Sequence, residues 1–145
     1  RPVRVVPDAS VLVKLATAEA DSPLAEPLLH VGLTAPDLLF AEMTNILWKK
    51  QARGELTAAL GQEALSVLAE LDLDVVPSRT LMADATALAM MIGHPAYDMF
   101  YVALAIQREI PFITADTRLV AKIRALSPSP SWAYLITPLI EFQPG

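Results

Sequence analysis

Cysteine is absent from all 145 residues, which excludes a disulfide framework, a thiolate metal site and a cysteine nucleophile. The cytoplasm is the parsimonious compartment for such a chain. Only five glycines occur, and none of them builds a phosphate-cradling loop. His30 and His94 are the two histidines, too far apart to nominate a dyad; His94, in Gly-His-Pro, reads as a turn residue. Ser10, Thr114 and Thr117 have no histidine partner in the pattern, which argues against a triad hydrolase. No apolar run approaches the ~18–20 uncharged residues that span a bilayer. The opening apolar stretch is broken by Arg4, Asp8 and Lys14, so it does not read as a signal peptide. Positive charge is also short: 11 basic residues face 16 acidic ones, for a net charge of −5. That balance argues against broad, non-specific affinity for nucleic acid. A nuclease stays open, because an acidic metal site subtracts several charges from any basic groove around it.

Apolar residues, by contrast, are abundant: 54% of the chain is hydrophobic and the mean hydropathy is +0.43, high for a soluble domain. The length fits a single domain over residues 1–145 with a large core. The apolar excess points to a surface that meets a partner or a second copy. Short strands are expected at Arg4–Pro7, Leu33–Ala35, Leu73–Val76 and Phe112–Thr114, with a last one at Tyr134–Ile136. Helical patterning falls on Val11–Ala18, Ser22–His30, a long stretch opened by Pro36-Asp37 and ended before Gly54, and Thr57–Leu71. It returns at Thr80–Ile92, Tyr97–Arg108 and Thr117–Leu126. Strands alternating with helices indicate an α/β domain with a mainly parallel sheet, whose ligand site lies beyond the carboxyl ends of the strands.

Four acidic residues interrupt or end the apolar segments: Asp8, Glu42, Asp98 and Asp116. Each has a purely structural explanation. Asp8 and Asp116 stand where helix caps stand, although Ser10 is able to cap in place of Asp8. Asp98 lies in a first helical turn, which the helix dipole favours. Glu42 is harder to dismiss. It lies beside the stripe Leu39, Met43, Ile46 and Leu47, three residues from Asn45, while Lys49 and Lys50 are seven and eight residues on, outside ion-pair spacing. Four such carboxylates in one apolar chain imply a shared pocket that needs a cation, because buried charge is costly unless compensated. Oxygen ligands without cysteine or histidine suit Mg²⁺ or Mn²⁺, and the matching chemistry is phosphodiester hydrolysis by metal-activated water. Lys14, Arg118, Lys122 and Arg124 are the candidate contacts to a nucleic-acid backbone. Trp48 and Trp132 read as packing or interface residues.

The segments VVPDASVLVKL, PDLLFAEMTNILWK and YDMFYVALAIQREIPFITADTRL together resemble the PIN domain, especially the VapC-type toxins of toxin–antitoxin pairs. The resemblance covers nearly the whole chain, and its specificity lies in the ordered set of motifs. It implies a three-layer α/β/α sandwich with a central, mainly parallel sheet. It also implies an Mg²⁺- or Mn²⁺-dependent endoribonuclease whose ion is held by Asp8, Glu42, Asp98 and Asp116. Ser10 and Thr114 match the family's supporting hydroxyl positions, and Asn45 fits its helix pattern. Cleavage leaving 5′-phosphate and 3′-hydroxyl ends, a homodimer and a cognate antitoxin partner are further implications. Pro7 is unusual in a buried strand, because it removes a ladder donor.

Two rivals remain. A receiver-like signalling domain also gathers Asp residues at strand ends, but LDVVPS offers no phospho-acceptor. A PIN-like interaction scaffold without catalysis would fail to bind Mn²⁺. Neither the RNA target, the number of metal ions nor the antitoxin's identity is encoded in any motif.

Overall fold

The computed structural model describes residues 3–143. Five strands form one wholly parallel sheet: β1 (Arg4–Pro7), β2 (Gly32–Pro36), β3 (Leu73–Val76), β4 (Phe112–Thr114) and β5 (Ile136–Pro138), in the order β3-β2-β1-β4-β5. The helices are α1 (Ala9–Val13), α2 (Ser22–Ala25), α3 (Leu39–Ala52), α4 (Ala58–Ala69), α5 (Met82–Ile92), α6 (Ala96–Arg108) and α7 (Thr117–Arg124). The chain first winds outward from β1 to β3, then returns to place β4 on the other side of β1. Right-handed crossovers put the helices before and after that reversal on opposite faces of the sheet, giving a three-layer α/β/α sandwich. α1, α3 and α4 pack together in one layer, and α5 packs on α6 in the other. Reversal between β1 and β4 also creates the crevice at which open α/β sheets bind ligands.

The core is built where the sequence is most apolar. β1 contributes Val5 and Val6, β4 contributes Phe112 and Ile113, and α6 buries Met99 and every residue from Tyr101 to Ala105. Each fully buried leucine or phenylalanine is worth about 1.5–3 kcal/mol of transfer free energy, so α6 and the two central strands form the most firmly held part of the fold. No helix among the described residues is long and apolar enough to cross a membrane.

Several expected boundaries move for identifiable reasons. The first helix stops at Val13 rather than Ala18, and the Thr17 hydroxyl then bonds back to the Val13 carbonyl. Pro36 belongs to β2, paired opposite Val76, and Asp37 accepts from the Ser78 amide, so that α3 begins only at Leu39. The last strand lies two residues later than expected, because Ala133–Leu135 form a 3₁₀ turn ahead of it. Gly93 caps α5 in the left-handed conformation (φ 72°), the backbone state glycine adopts most readily. Pro7 also finds its explanation. The amides of Val6 and Asp8 donate to the carbonyls of Pro111 and Ile113, on the β4 side, so the Pro7 nitrogen faces β2, past the last β1–β2 register pair at Val5 and Leu33. With no N–H to offer, Pro7 marks the end of the β1–β2 ladder, while β2 runs on to Pro36.

Candidate active site

Asp8, Ser10, Glu42, Asn45, Asp98 and Asp116 line one open pocket of about 530 Å³. It lies at the carboxyl edge of the sheet, where β1 and β4 run side by side. Asp8 follows β1 directly, and Asp116 follows β4 after one intervening residue. α3 brings in Glu42 and Asn45 on one face, three residues apart. α6 supplies Asp98 from its first turn. Thr114 lies fully buried beneath the pocket.

Each carboxylate is held by a neighbour. One oxygen of Asp8 accepts from the Ser10 hydroxyl (2.8 Å) and the Val11 amide (2.9 Å), and the other from the Thr114 hydroxyl. Asp8 is therefore both the cap of α1 and a wall of the pocket; Ser10 does not replace it as the cap but braces it. The Thr114 oxygen in turn accepts from the Asp116 amide at 3.0 Å, so a single hydroxyl ties the two strand-end acids together. Asp116 caps α7, accepting through Oδ1 from the amides of Arg118 and Leu119. The buried phenol of Tyr101 donates to Glu42 Oε1, and His94 Nε2 lies 2.8 Å from Asp98 Oδ2. Glu42, Asp98 and Asp116 each keep a second carboxylate oxygen with no hydrogen-bond partner among the described residues.

The electrostatics explain why such a pocket favours a cation. Burial raises the Asp8 carboxyl above its ordinary range, and the Asp98 charge adds to this, against the lowering effect of Thr114, Ser10 and Val11. Glu42 is also raised, first by burial and then by the charges of Asp98 and Asp8, although Tyr101 opposes the shift. Tyr101 itself is raised by burial and by its bond to Glu42, which keeps the phenol a donor. Mutually repelling carboxylates in a half-enclosed pocket are relieved by a positive ion, and hard oxygen donors select Mg²⁺ or Mn²⁺. The residues present fit such an ion.

Three participants were not legible as site residues. Tyr101 reads as core, yet it lies one turn after Asp98 on the same helix and reaches Glu42. His94 does form part of a turn, but its ring faces Asp98 four residues on, and His94, Asp98 and Asp116 offer ligand atoms within 4.8 Å of one another. Lys49 is too far from Glu42 for a helical ion pair, yet two turns along the same face, and it lines the pocket. Its spacing from Glu42 was the available signal. The expected basic contacts fare differently. Lys14 is held by Glu19 and Asp21, the Lys122 ammonium donates to the Gly93 carbonyl, and Arg124 pairs with Glu141. Arg118 stands exposed at the start of α7.

With this geometry established, comparison with known proteins identifies the family. The sequence profile of the PIN domain matches residues 5–125. The chain belongs to the PIN domain family. It is 35% identical over 131 residues to Ribonuclease VapC3 of Pyrobaculum aerophilum, covering 86% of this chain and 98% of that protein. Its fold superimposes on the crystal structure of PAE2754 from Pyrobaculum aerophilum with a TM-score of 0.60 and 26% identity, covering 83% of this PIN domain and 79% of that chain. A toxin–antitoxin complex from Klebsiella pneumoniae shares the fold at a TM-score of 0.59 and 14% identity, covering 81% and 90% of the two chains.

Proposed function

We propose that this PIN domain is a divalent-metal-dependent endoribonuclease and the toxin of a type II toxin–antitoxin pair. The observation that carries this reading is the convergence of Asp8, Glu42, Asp98 and Asp116 on one pocket, in a chain similar over most of its length to a VapC ribonuclease. Asp8, Glu42, Asp98 and Asp116 would hold Mg²⁺ or Mn²⁺. When bound, that ion neutralises phosphoryl charge and makes a water more acidic, so that hydrolysis proceeds near neutral pH. The protein's own contribution is preorganisation. Ser10, Thr114 and Tyr101 fix Asp8 and Glu42 before substrate arrives, His94 orients Asp98, and all four carboxylates line one pocket. Asn45 offers an amide at the pocket wall for a phosphate or ribose oxygen.

Two partners accompany this reading. A cognate antitoxin finds an apolar groove between α3 and α4, where Phe40, Trp48 and Leu65 are exposed. A second copy of the chain finds the outer face of α5, which carries Met82, Met90 and Met91. The cytoplasm is where such a toxin meets its RNA.

Cleavage of a mixed pool of structured RNA tests the assignment, with Mn²⁺ or EDTA, for the native chain and Asp8→Asn. Asparagine retains an oxygen for the Val11 amide, so the variant folds, while cleavage falls by roughly 10²–10³-fold, the scale on which one preorganised polar group acts. Full activity of Asp8→Asn, or metal-independent cleavage by the native protein, would overturn the assignment. End-mapping of the products should return 5′-phosphates.

A further inference from the structure

The acidic pocket does not end at Lys49. It opens into a smaller hollow of about 200 Å³ that shares Ser10, Ile46 and Lys49 with it. Charge changes sign along the way. Four carboxylates face one lysine in the pocket, whereas Lys14, Lys49, Lys50 and Arg53 face only Glu19 and Glu55 in the hollow. Two of those cations are already engaged. Lys14 binds Glu19 and Asp21, and Lys50 binds Glu19, with both lysine side chains mostly buried. Lys49 and Arg53 are different. Both are exposed, and neither forms an ion pair among the described residues.

These two residues continue a line that begins at the site. Glu42, Asn45, Lys49 and Arg53 follow one another at helical spacing, from the first turn of α3 to its C-cap. A rise of about 1.5 Å per residue puts Lys49 about 10 Å and Arg53 about 16 Å beyond Glu42. Basic residues in a last helical turn also complement the helix dipole, which accounts for cations at that end of α3 but not for one that lines a pocket of carboxylates. A polyanion approaching that pocket meets repulsion from its walls, and a bound ion offsets this only at the scissile phosphate. The neighbouring phosphates need cations of their own.

Building on the ribonuclease reading, we infer that the RNA strand runs from the acidic pocket along the carboxyl-terminal half of α3, with Lys49 and Arg53 holding successive backbone phosphates. Such contacts position a strand and carry no sequence information. Selection of the cleavage site therefore lies elsewhere in the groove. Lys14 and Lys50 neutralise Glu19, which lines the same hollow.

The test measures binding, not cleavage. A fluorescein-labelled, mixed-sequence 12-nucleotide single-stranded RNA is titrated with Asp8→Asn protein in Mg²⁺, over a series of salt concentrations. Adding Lys49→Ala and Arg53→Ala together should weaken binding about tenfold at low salt. The slope of log K against log salt should become shallower by about 1.4, since each phosphate contact on a single strand contributes about 0.7. Arg79→Ala removes another exposed arginine that lines neither hollow, and should change neither quantity. Mn²⁺ affinity, read by calorimetry on the otherwise native chain, should survive the double substitution within about twofold. Unchanged affinity and slope in the double variant would overturn the inference, as would an equal loss in Arg79→Ala. Binding that depends on Lys49 and Arg53, in a chain that cuts no RNA, would uphold the path and refute the nuclease reading instead.

Discussion

At the scale of single residues, the site is governed by how few atoms hold its charges in place. Tyr101 illustrates this most directly: its phenol is the side-chain donor to Glu42, delivered from the buried face of α6. Tyr101→Phe keeps the ring and its tilted contact with Phe112, whose centroid lies 6.1 Å away, and removes only the hydroxyl. Mn²⁺ affinity measured by calorimetry should fall about 10–100-fold, as expected when a group orienting a metal ligand is lost. Native affinity in that variant would show that Glu42 needs no orienting donor. The sequence alone displayed the four carboxylates, because charge inside apolar segments is conspicuous. It could not display Tyr101 or His94, whose roles depend on where a ring points after the helices pack. Nor could it show that Lys14 spends its charge on Glu19 and Asp21, since those acids lie in a loop whose path is set by tertiary contacts.

At the scale of elements, the strands and long helices follow from patterning, and the errors collect at their ends. β1, β3 and β4 begin and end where the sequence pattern places them. β2 and β5 do not, because pairing with β1 at Gly32 and with β3 at Pro36 extends the one and a 3₁₀ turn delays the other. α5 raises a different point. Its inner side buries Ala85, Leu88 and Ile92, yet its outer side remains apolar, with Met90 82% exposed. Large apolar side chains grouped on an outer helix face are normally covered, and a second copy of the chain is the proposed cover. Met90→Lys places a charge at the centre of that face while touching no core residue. Light scattering after gel filtration should find the native chain at twice its monomer mass and Met90→Lys at the monomer mass. A native monomer, or a Met90→Lys dimer, would place the contact elsewhere or deny it.

For the molecule as a whole, burying mutually repelling carboxylates ties stability to pH and to metal. Asp8 and Glu42 are both raised above their ordinary range, so the folded chain holds their protons more tightly than the unfolded one. Metal-free stability then declines as pH climbs from the unfolded carboxyl range, about 4, through the raised values, and it stays low above them. Asp37 and Glu141, both lowered, act the other way and lose their contribution only as pH falls through still more acidic values. In EDTA, the melting temperature should therefore be a few degrees higher near pH 5 than near pH 7.5, where about 1 kcal/mol corresponds to roughly 2–4 °C. Asp8→Asn should flatten this dependence, and Mn²⁺ should reverse it by rewarding the ionised form. A melting temperature in EDTA that rises across the same range would refute this account. The position of β1 has a consequence in time as well as in space. It precedes the other four strands of the sheet in the chain, yet it lies in the middle of them, and the bond that Thr114 gives to Asp8 spans 106 residues. While the chain emerges from the ribosome amino end first, β1 has no β4 beside it and Asp8 has only its local partners, Ser10 and Val11. The pocket stays incomplete until β4 and Asp116 have followed. The acidic pocket is thus a property of the finished domain, not of the nascent chain.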